Sequence, residues 1–265
     1  MWRRRAPHPC PRRVPGRSRA LLLTLALLAP RAHAQTARVV RTQANAWLVT
    51  SADLWATPRW GVQTELMYER SDFGADPQQV EYRLGVQRML RSGARLAFGG
   101  TYIWSSPYGP FPSRVAFPEY RTWEQATVDQ RVGALSLTHR YRLEQRWVQR
   151  PLFTPAGARD GSDATFALRG RYQVRATLPL TRTAARHSLY AAVAEEPFLA
   201  FGPHTPINVL EQNRLYGGAG VRWSPTLRTE LGYLNQIILR ADGRQVEQNH
   251  TLQVTLGITR AAPRR

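Results

Sequence analysis

The sequence has one cysteine, Cys10, no lysine, and no long apolar run. A single cysteine excludes a disulfide framework and any multi-cysteine metal site. The longest apolar stretch, residues 20–29, is too short for a spanning helix, which needs ~18 residues. A helical membrane protein is therefore excluded. Acid is also scarce, with 18 Asp and Glu against 37 basic residues, all of them Arg. Helical periodicity is absent after residue 34. Aromatics are not scarce: eight Trp, ten Tyr and eight Phe exclude a disordered tail. A length of 265 residues allows one large domain or two small ones.

The charge is unevenly placed. Residues 1–34 hold eight Arg and no acid, leaving 29 Arg against 18 acids in the remainder. In order, this segment reads as a basic stretch, the apolar run 20–29, Pro30, and then Ala32-His-Ala34. That is the n-region, h-region and small-x-small site of a secretory signal peptide. We expect residues 1–34 to be a cleavable leader and 35–265 to form one outer-membrane barrel domain. Cys10 would leave with the leader. Arg12-Arg13 belongs to the n-region, since its surroundings do not match a folded-export signal. Export also argues against nucleic acid as the partner of all this Arg, although a basic surface is what nucleic acid requires.

What is present after residue 34 is a period of two. Val80, Tyr82, Leu84 and Val86 alternate with Glu81, Arg83 and Gln87. Leu135, Leu137, Tyr141 and Leu143 alternate with Ser136, Thr138, Arg140, Arg142 and Glu144. Phe166, Leu168, Tyr172 and Val174 alternate with Arg169, Arg171, Gln173 and Arg175. Similar runs recur around 60–68, 96–104, 215–223, 227–233 and 252–258. Successive side chains of a strand point to opposite faces, so these are strands with one apolar and one polar side.

Connections are expected to be short at 90–94, 126–131, 181–186 and 224–226, and long at 105–118, 147–165, 197–212 and 241–248. Short turns at one end and long loops at the other suit an outer-membrane barrel. The fold expected is all-β, an antiparallel up-and-down transmembrane barrel of 10–12 strands. Eleven segments can be counted. Bacterial barrels are even-numbered, so twelve is favoured, with 36–42 as the extra strand. Aromatics near strand ends (Trp60, Tyr68, Trp104, Trp147, Trp223, Tyr233) would form interfacial girdles.

Period two does not say which face is inside. In a soluble periplasmic ligand-binding barrel the apolar face lines the interior. In a membrane barrel it meets lipid, and the polar face lines the lumen. Strand lengths, girdles and leader favour the membrane version. An Arg at the lipid midplane costs ~2–4 kcal/mol, so the charged faces should turn inward. The expected lumen residues are Glu65, Glu119, Arg121, Arg140, Arg142, Glu144, Arg146, Arg169, Arg171, Arg214 and Glu230. There they pair with one another and, together with Gln and aromatic side chains, largely fill the space and leave a narrow or occluded pore. Such a surface would attract a small anionic solute, because Arg binds oxyanions bidentately.

Particular segments resemble a known family. Glu119-Tyr-Arg-Thr-Trp-Glu-Gln125 is similar to that family's Glu-His-Arg-x-Trp-Gln-Gln. His139-Arg-Tyr-Arg-Leu-Glu-Gln-Arg146 is similar to its Arg-x-Arg-Leu-Glu-Gln-Arg strand. Arg169-x-Arg-Tyr172, Glu195-Glu-Pro-Phe198, Asn213-Arg-Leu-Tyr-Gly217 and Gly232-Tyr-Leu-Asn-Gln236 follow in the family's order. The family comprises bacterial outer-membrane barrels catalogued as domain of unknown function twenty-four ninety. The resemblance implies an outer-membrane barrel and supplies no reaction. Tyr120 stands where the family has His, and the terminal aromatic read by barrel-assembly machinery is replaced by Thr-Arg-Ala-Ala-Pro-Arg-Arg265.

Catalytic signals are thin. Gly-x-Ser-x-Gly, His-Glu-x-x-His and Walker loops are absent, and nothing implies a cofactor or metal. His139 shares parity with Tyr141 and should face lipid, away from Ser136. His187, His204 and His250 sit at a turn, in a loop and at a strand start. Glu119, Glu144, Glu195 and Glu196 could serve as acid and base, but neutralising neighbouring Arg is the simpler role. The expected function is a narrow or occluded channel, or a binding or structural envelope protein. The alternative is an outer-membrane enzyme acting on lipid or lipopolysaccharide. The expected partners are outer-membrane lipid, lipopolysaccharide and the barrel-assembly machinery.

Overall fold

In the computed structural model the residues described are 38–181, 187–203 and 205–262. The leader and His204 lie outside them. Eleven strands run in order: β1 (Val39–Trp55), β2 (Trp60–Ser71), β3 (Asp76–Met89), β4 (Arg95–Ser105), β5 (Phe117–Val132), β6 (Leu135–Phe153), β7 (Arg159–Pro179), β8 (Ser188–Phe201), β9 (Leu210–Arg222), β10 (Leu227–Leu239) and β11 (Gln245–Arg260). Each pairs antiparallel with its sequence neighbour, and β1 closes on β11 to complete a barrel. No described helix is long and apolar enough to cross a membrane, which has no bearing on strands.

The count is eleven, so the preference for twelve is corrected. The expected extra strand is the start of β1: residues from Val39 onward run without a break to Trp55. With an odd number, the first and last strands point the same way, and the closing seam must be parallel. It is, over the length from Val39↔Gln245 to Leu54↔Arg260. The evenly spaced, slanted bonds of a parallel pair join β1 and β11 over sixteen residue pairs.

Several boundaries also differ from expectation. The turn expected at 126–131 is strand, and β5 passes into β6 through Gly133 and Ala134, with Gly133 at φ 60° as a two-residue hairpin requires. The long loop expected at 147–165 is mostly the continuation of β6 and β7. Beyond Val148 and Leu168 these strands pair only with each other, because β5 ends its ladder at Glu119↔Val148 and β8 at Leu168↔Phe201. The hairpin therefore rises above the rim, by ~16 Å from Val148 to Phe153 at 3.3 Å per residue. With no wall on either side it buries neither face, and alternation fades from its sequence. The loop expected at 197–212 is likewise shortened, to 202–209. We call this rim the loop end and the opposite rim the turn end.

The barrel is apolar outside and charged inside. On β3, Tyr82, Leu84 and Val86 are exposed, Leu84 at 61 %, while Arg83 between them is 5 % exposed. The same inversion holds at Tyr141 and Leu143 against Arg142 and Glu144, and at Leu231 and Tyr233 against Glu230. Trp60, Tyr68, Trp104 and Trp223 stand outward near strand ends; Trp147 is outward and packs on Phe166 at 5.4 Å. Tyr233 is outward too, but sits at the middle of β10 and not at an end.

Candidate functional site: an arginine–glutamate lumen

The eleven residues named from the sequence are all buried or half-buried, on strand parities opposite the exposed apolar set. Glu144 on β6 is at the centre. Its Oε2 accepts from Arg169 Nε at 2.9 Å and Nη2 at 2.5 Å, and its Oε1 accepts from Arg171 Nη1 at 2.8 Å. Arg121 and Arg142 approach the same carboxylate at 3.7 and 3.9 Å. Arg171 continues to Glu196, which also accepts from Arg140 Nη2 at 2.8 Å. Arg121 Nε donates to Glu119 at 2.5 Å, and Arg146 Nε to the same oxygen at 2.6 Å. Arg146 then reaches Glu211 at 2.9 Å. Arg83 joins Glu65 to Glu81, and Arg121 joins Glu81 to the rest at 3.7 Å. One connected network thus links β2, β3, β5, β6, β7, β8 and β9. Separately, Arg175 Nη2 pairs with Glu230 at 2.5 Å, and Tyr216 donates to the same carboxylate at 2.6 Å.

Alternation explains why these groups meet. Arg140, Arg142, Glu144 and Arg146 are every second residue of one strand, as are Arg169 and Arg171 on its partner. Antiparallel register sets Glu144 opposite Arg169 and Arg121 opposite Arg146. Buried charge is tolerable only when paired and hydrogen-bonded, and a lumen holding both signs meets that condition. Charge-assisted, bidentate Arg contacts are the strong ones.

Aromatic side chains were expected in the lumen as a class, and the structure identifies them. Trp47, Trp123, Phe198 and Tyr216 point inward and are buried. Arg142 lies over Trp123 at 5.1 Å, while Arg169, Arg171 and Arg214 surround Phe198 at 5.1, 4.2 and 5.1 Å. Arg214 also covers Trp47 at 5.0 Å. Cation–π contact thus supports guanidinium groups where carboxylates are few. Parity was the available signal: Trp123 follows Arg121 by two, and Phe198 follows Glu196 by two. Glu69, Glu211 and Glu247 were missed, and all three face inward. Polar groups also face outward within the apolar wall, Glu195 with Asn213 among them. Glu124 on β5 accepts from Gln145 Nε2 at 3.0 Å, and Gln145 Oε1 accepts from the Thr122 hydroxyl at 2.7 Å.

The loop end is closed. Asn45, Glu247, Asn249 and Thr251 are fully buried there. Residues 106–116 fold across the mouth: Arg240 Nη2 donates to the Phe111 carbonyl at 3.3 Å, and Arg114 lies over Phe153 at 4.1 Å. Tyr108 in this loop has its hydroxyl pushed up to about 12, by burial and then by the Glu247 carboxylate. The neutral phenol is the form the closed loop favours. Its contribution is whole below the ordinary tyrosine value of ~10 and is lost as pH rises through about 12. We therefore expect faster amide hydrogen exchange in 106–116 across that alkaline window, and no such step in Tyr108→Phe. A step of equal size in Tyr108→Phe would remove Tyr108 as its cause.

Toward the turn end the network opens into a cavity of about 120 Å³, bordered by Arg83, Arg140, Arg171, Arg175, Arg214 and Glu196. Arg140 and Arg175 keep 20 % and 29 % of their side chains accessible. Buried N–H groups remain unpartnered at Arg83 Nε, Arg140 Nε and Arg142 Nη1.

The family described as "Protein of unknown function (DUF2490)" matches residues 44–247, from the first turns of β1 into β11. The chain belongs to that family. No curated protein matches it. The segments that carried the resemblance are the ones that build this DUF2490 lumen. Residues 119–125 supply Glu119, Arg121 and Trp123; residues 139–146 supply Arg140, Arg142, Glu144 and Arg146. Arg169 and Arg171 face them from β7. Tyr120, which stands where the family has His, lies on the outer face, 5.4 Å from Tyr102, and so takes no part in the network.

The histidines of the DUF2490 barrel that are described do not enter the lumen. His139 Nδ1 meets the Tyr172 hydroxyl at 2.9 Å on the outer face. His250 meets the Tyr233 hydroxyl at 2.5 Å, also outside, and His187 lies at a turn against Trp223. His139 and Ser136 are on opposite faces, as parity requires. Among the described residues no group of three His, Cys, Asp or Glu is placed to hold a metal ion.

Proposed function

We propose that this DUF2490 protein is an outer-membrane barrel that binds small anionic groups in an occluded lumen reached from the periplasm. The observation that carries the reading is the inverted distribution of side chains. A continuous apolar band faces outward while seven arginines and six glutamates share one network inside. Water would reverse that order, since exposed apolar patches of this extent are unfavourable in a soluble monomer. A bilayer rewards it. The signal-like leader supports delivery to the envelope, where barrel-assembly machinery would insert the chain among phospholipid and lipopolysaccharide. The blocked loop end and filled centre support a binding role over that of an open pore.

The test is fractionation of cells expressing the full chain. We expect the protein in the outer-membrane fraction, with an unheated band that migrates faster than the heated one. In planar bilayers we expect no steady conductance above bare lipid. Recovery in the soluble periplasm would overturn the location. A steady open conductance would overturn occlusion.

A further inference from the structure

Among the described residues, β7 and β8 are joined by the ladder with the fewest pairs. Its ten pairs form a run of four from Leu168↔Phe201 to Arg171↔Phe198 and a run of six from Val174↔Glu195 to Pro179↔Tyr190. No other seam has fewer than eleven. Between the runs, Tyr172 and Gln173 stand opposite Pro197 and Glu196 without pairing. Register is unchanged across the gap, so a bulge is not the cause. Pro197 has no N–H, and the Tyr172 carbonyl loses the ladder donor that another residue at 197 would supply. Proline is normally confined to edges and bulges of sheets. Here it stands in a strand paired on both sides, with Asn213 of β9 as its other neighbour.

Two cavities flank this gap. Inside is the arginine-lined space of about 120 Å³, with Arg171, Gln173 and Glu196 on its wall. Outside is a groove of about 830 Å³ that includes Gly170, Tyr172, Pro197 and Leu199. Arg171 borders both. The groove is apolar along Phe98, Leu143 and Leu199, with the Glu124 carboxylate also on its wall, and its volume lies in the range of ligand sites (roughly 300–1,000 Å³). At its turn-end rim Arg88 lies over Trp60 at 5.1 Å. The inner cavity is basic and offers the unpartnered Nε groups of Arg83 and Arg140. Arg83 is 5 % exposed, so water does not readily serve it. An apolar groove and a basic cavity meeting at a broken ladder match one kind of molecule, an amphiphile with an anionic head.

We propose that the β7–β8 seam is a lateral portal for an anionic glycerophospholipid. Its phosphate enters the lumen and accepts hydrogen bonds from Arg83 and Arg140, while its acyl chains stay in the outer groove. This rests on the outer-membrane reading above and names the ligand class for that lumen. Opening needs the strands to part next to a bond that is already missing, so Pro197 sets where the wall yields.

Residues after 34 include no cysteine, so a disulfide can be placed cleanly. Val174 and Glu195 are ladder partners beside the gap and belong to neither cavity lining. Partners in an antiparallel pair lie ~4.5–5.5 Å apart at Cα, within disulfide reach. The experiment uses the full barrel with Val174→Cys and Glu195→Cys, folded in neutral detergent and checked for heat-modifiable mobility. It is titrated with phosphatidylglycerol, the matched diacylglycerol, and glycerol phosphate, with binding read by native mass spectrometry. We expect phosphatidylglycerol to bind about tenfold or more tightly than diacylglycerol, because charge-assisted contacts to phosphate are strong. Oxidation should abolish that preference and reduction restore it. Pro197→Ala, which returns the ladder donor, should weaken binding without the disulfide. Equal phosphatidylglycerol binding by oxidised and reduced protein would overturn the portal. So would glycerol phosphate binding as tightly as phosphatidylglycerol in the oxidised barrel, which would mean entry through the turn-end mouth and would leave the anion-binding reading intact. Loss of heat-modifiable mobility in the unsubstituted chain would instead strike the outer-membrane reading.

Discussion

Replacing Glu144 with alanine is expected to destabilise the barrel by about 3–5 kcal/mol, the range for removing one partner from a buried ion pair. Glu144 is fully buried and takes three hydrogen bonds from Arg169 and Arg171. Without it Arg169 and Arg171, neighbours on the inner face of β7, lose the carboxylate they share, with Arg121 and Arg142 close by, and Arg169 is left with Glu211 at 3.7 Å and Arg171 with Glu196 at 2.9 Å. Glu144→Gln keeps the shape and some acceptor capacity but drops the charge, so its loss should be smaller. Asp129→Ala is the control. The Arg95–Asp129 pair is exposed on the Asp side at 56 %, and exposed pairs contribute about 0–1 kcal/mol. Urea titrations of the folded barrel, followed by tryptophan fluorescence, would compare the three. If Glu144→Ala shifted the midpoint no more than Asp129→Ala, the network would be a bystander to stability. Should Glu144→Ala not assemble at all, the order Glu144→Gln below wild type and Asp129→Ala near it still decides the point.

The same network shows which features the sequence could disclose. Arg140, Arg142, Glu144 and Arg146 alternate with Tyr141, Leu143, Gln145 and Trp147, and one strand face cannot hold both sets in the same surroundings. Once the apolar set is given to the outside, every charged candidate is assigned to the lumen without further information. Pairing in space was less legible, because it depends on register. Arg146 meets Glu211 across three seams, and nothing in either segment announces the other. Aromatic side chains were expected inside as a class, but Trp123 and Phe198 were not singled out, although they stand on the charged parity and guanidinium faces make a charged lumen hospitable to them. Parallel closure was hidden by a rule about typical barrels, when eleven segments were already countable. Where alternation stops, as in residues 149–163, the strands leave the wall and bury neither face, so no pattern is maintained to be read.

The position of Trp123 yields the second large effect. Its ring is fully buried and rests on a floor made by Gly85 of β3 and Gly99 of β4, with Arg142 over its other face. Trp123→Ala should cost about 3–5 kcal/mol, the transfer loss plus the cavity left in the lumen. The two glycines then make separate predictions. A Cβ on Gly85 would meet the Trp123 ring before anything else, with the Phe98 carbonyl behind it at 2.9 Å. A Cβ on Gly99 would meet the Leu84 carbonyl and Gly85 Cα as well as the ring. Side chains can be removed and backbone cannot. Gly85→Ala should therefore be destabilising alone and less so in a Trp123→Ala background, with a coupling of about 0.5–3 kcal/mol in the double-mutant cycle. Gly99→Ala should stay costly in either background, because its obstacle is the neighbouring strand. The cycles, measured from urea midpoints, separate a ring packed on one glycine from a strand pair that approaches too closely for any side chain. Equal coupling at both positions would contradict that geometry. Coupling at Gly85 alone would place Trp123 as the wedge that holds β3, β4 and the Arg142 side of the network in one arrangement.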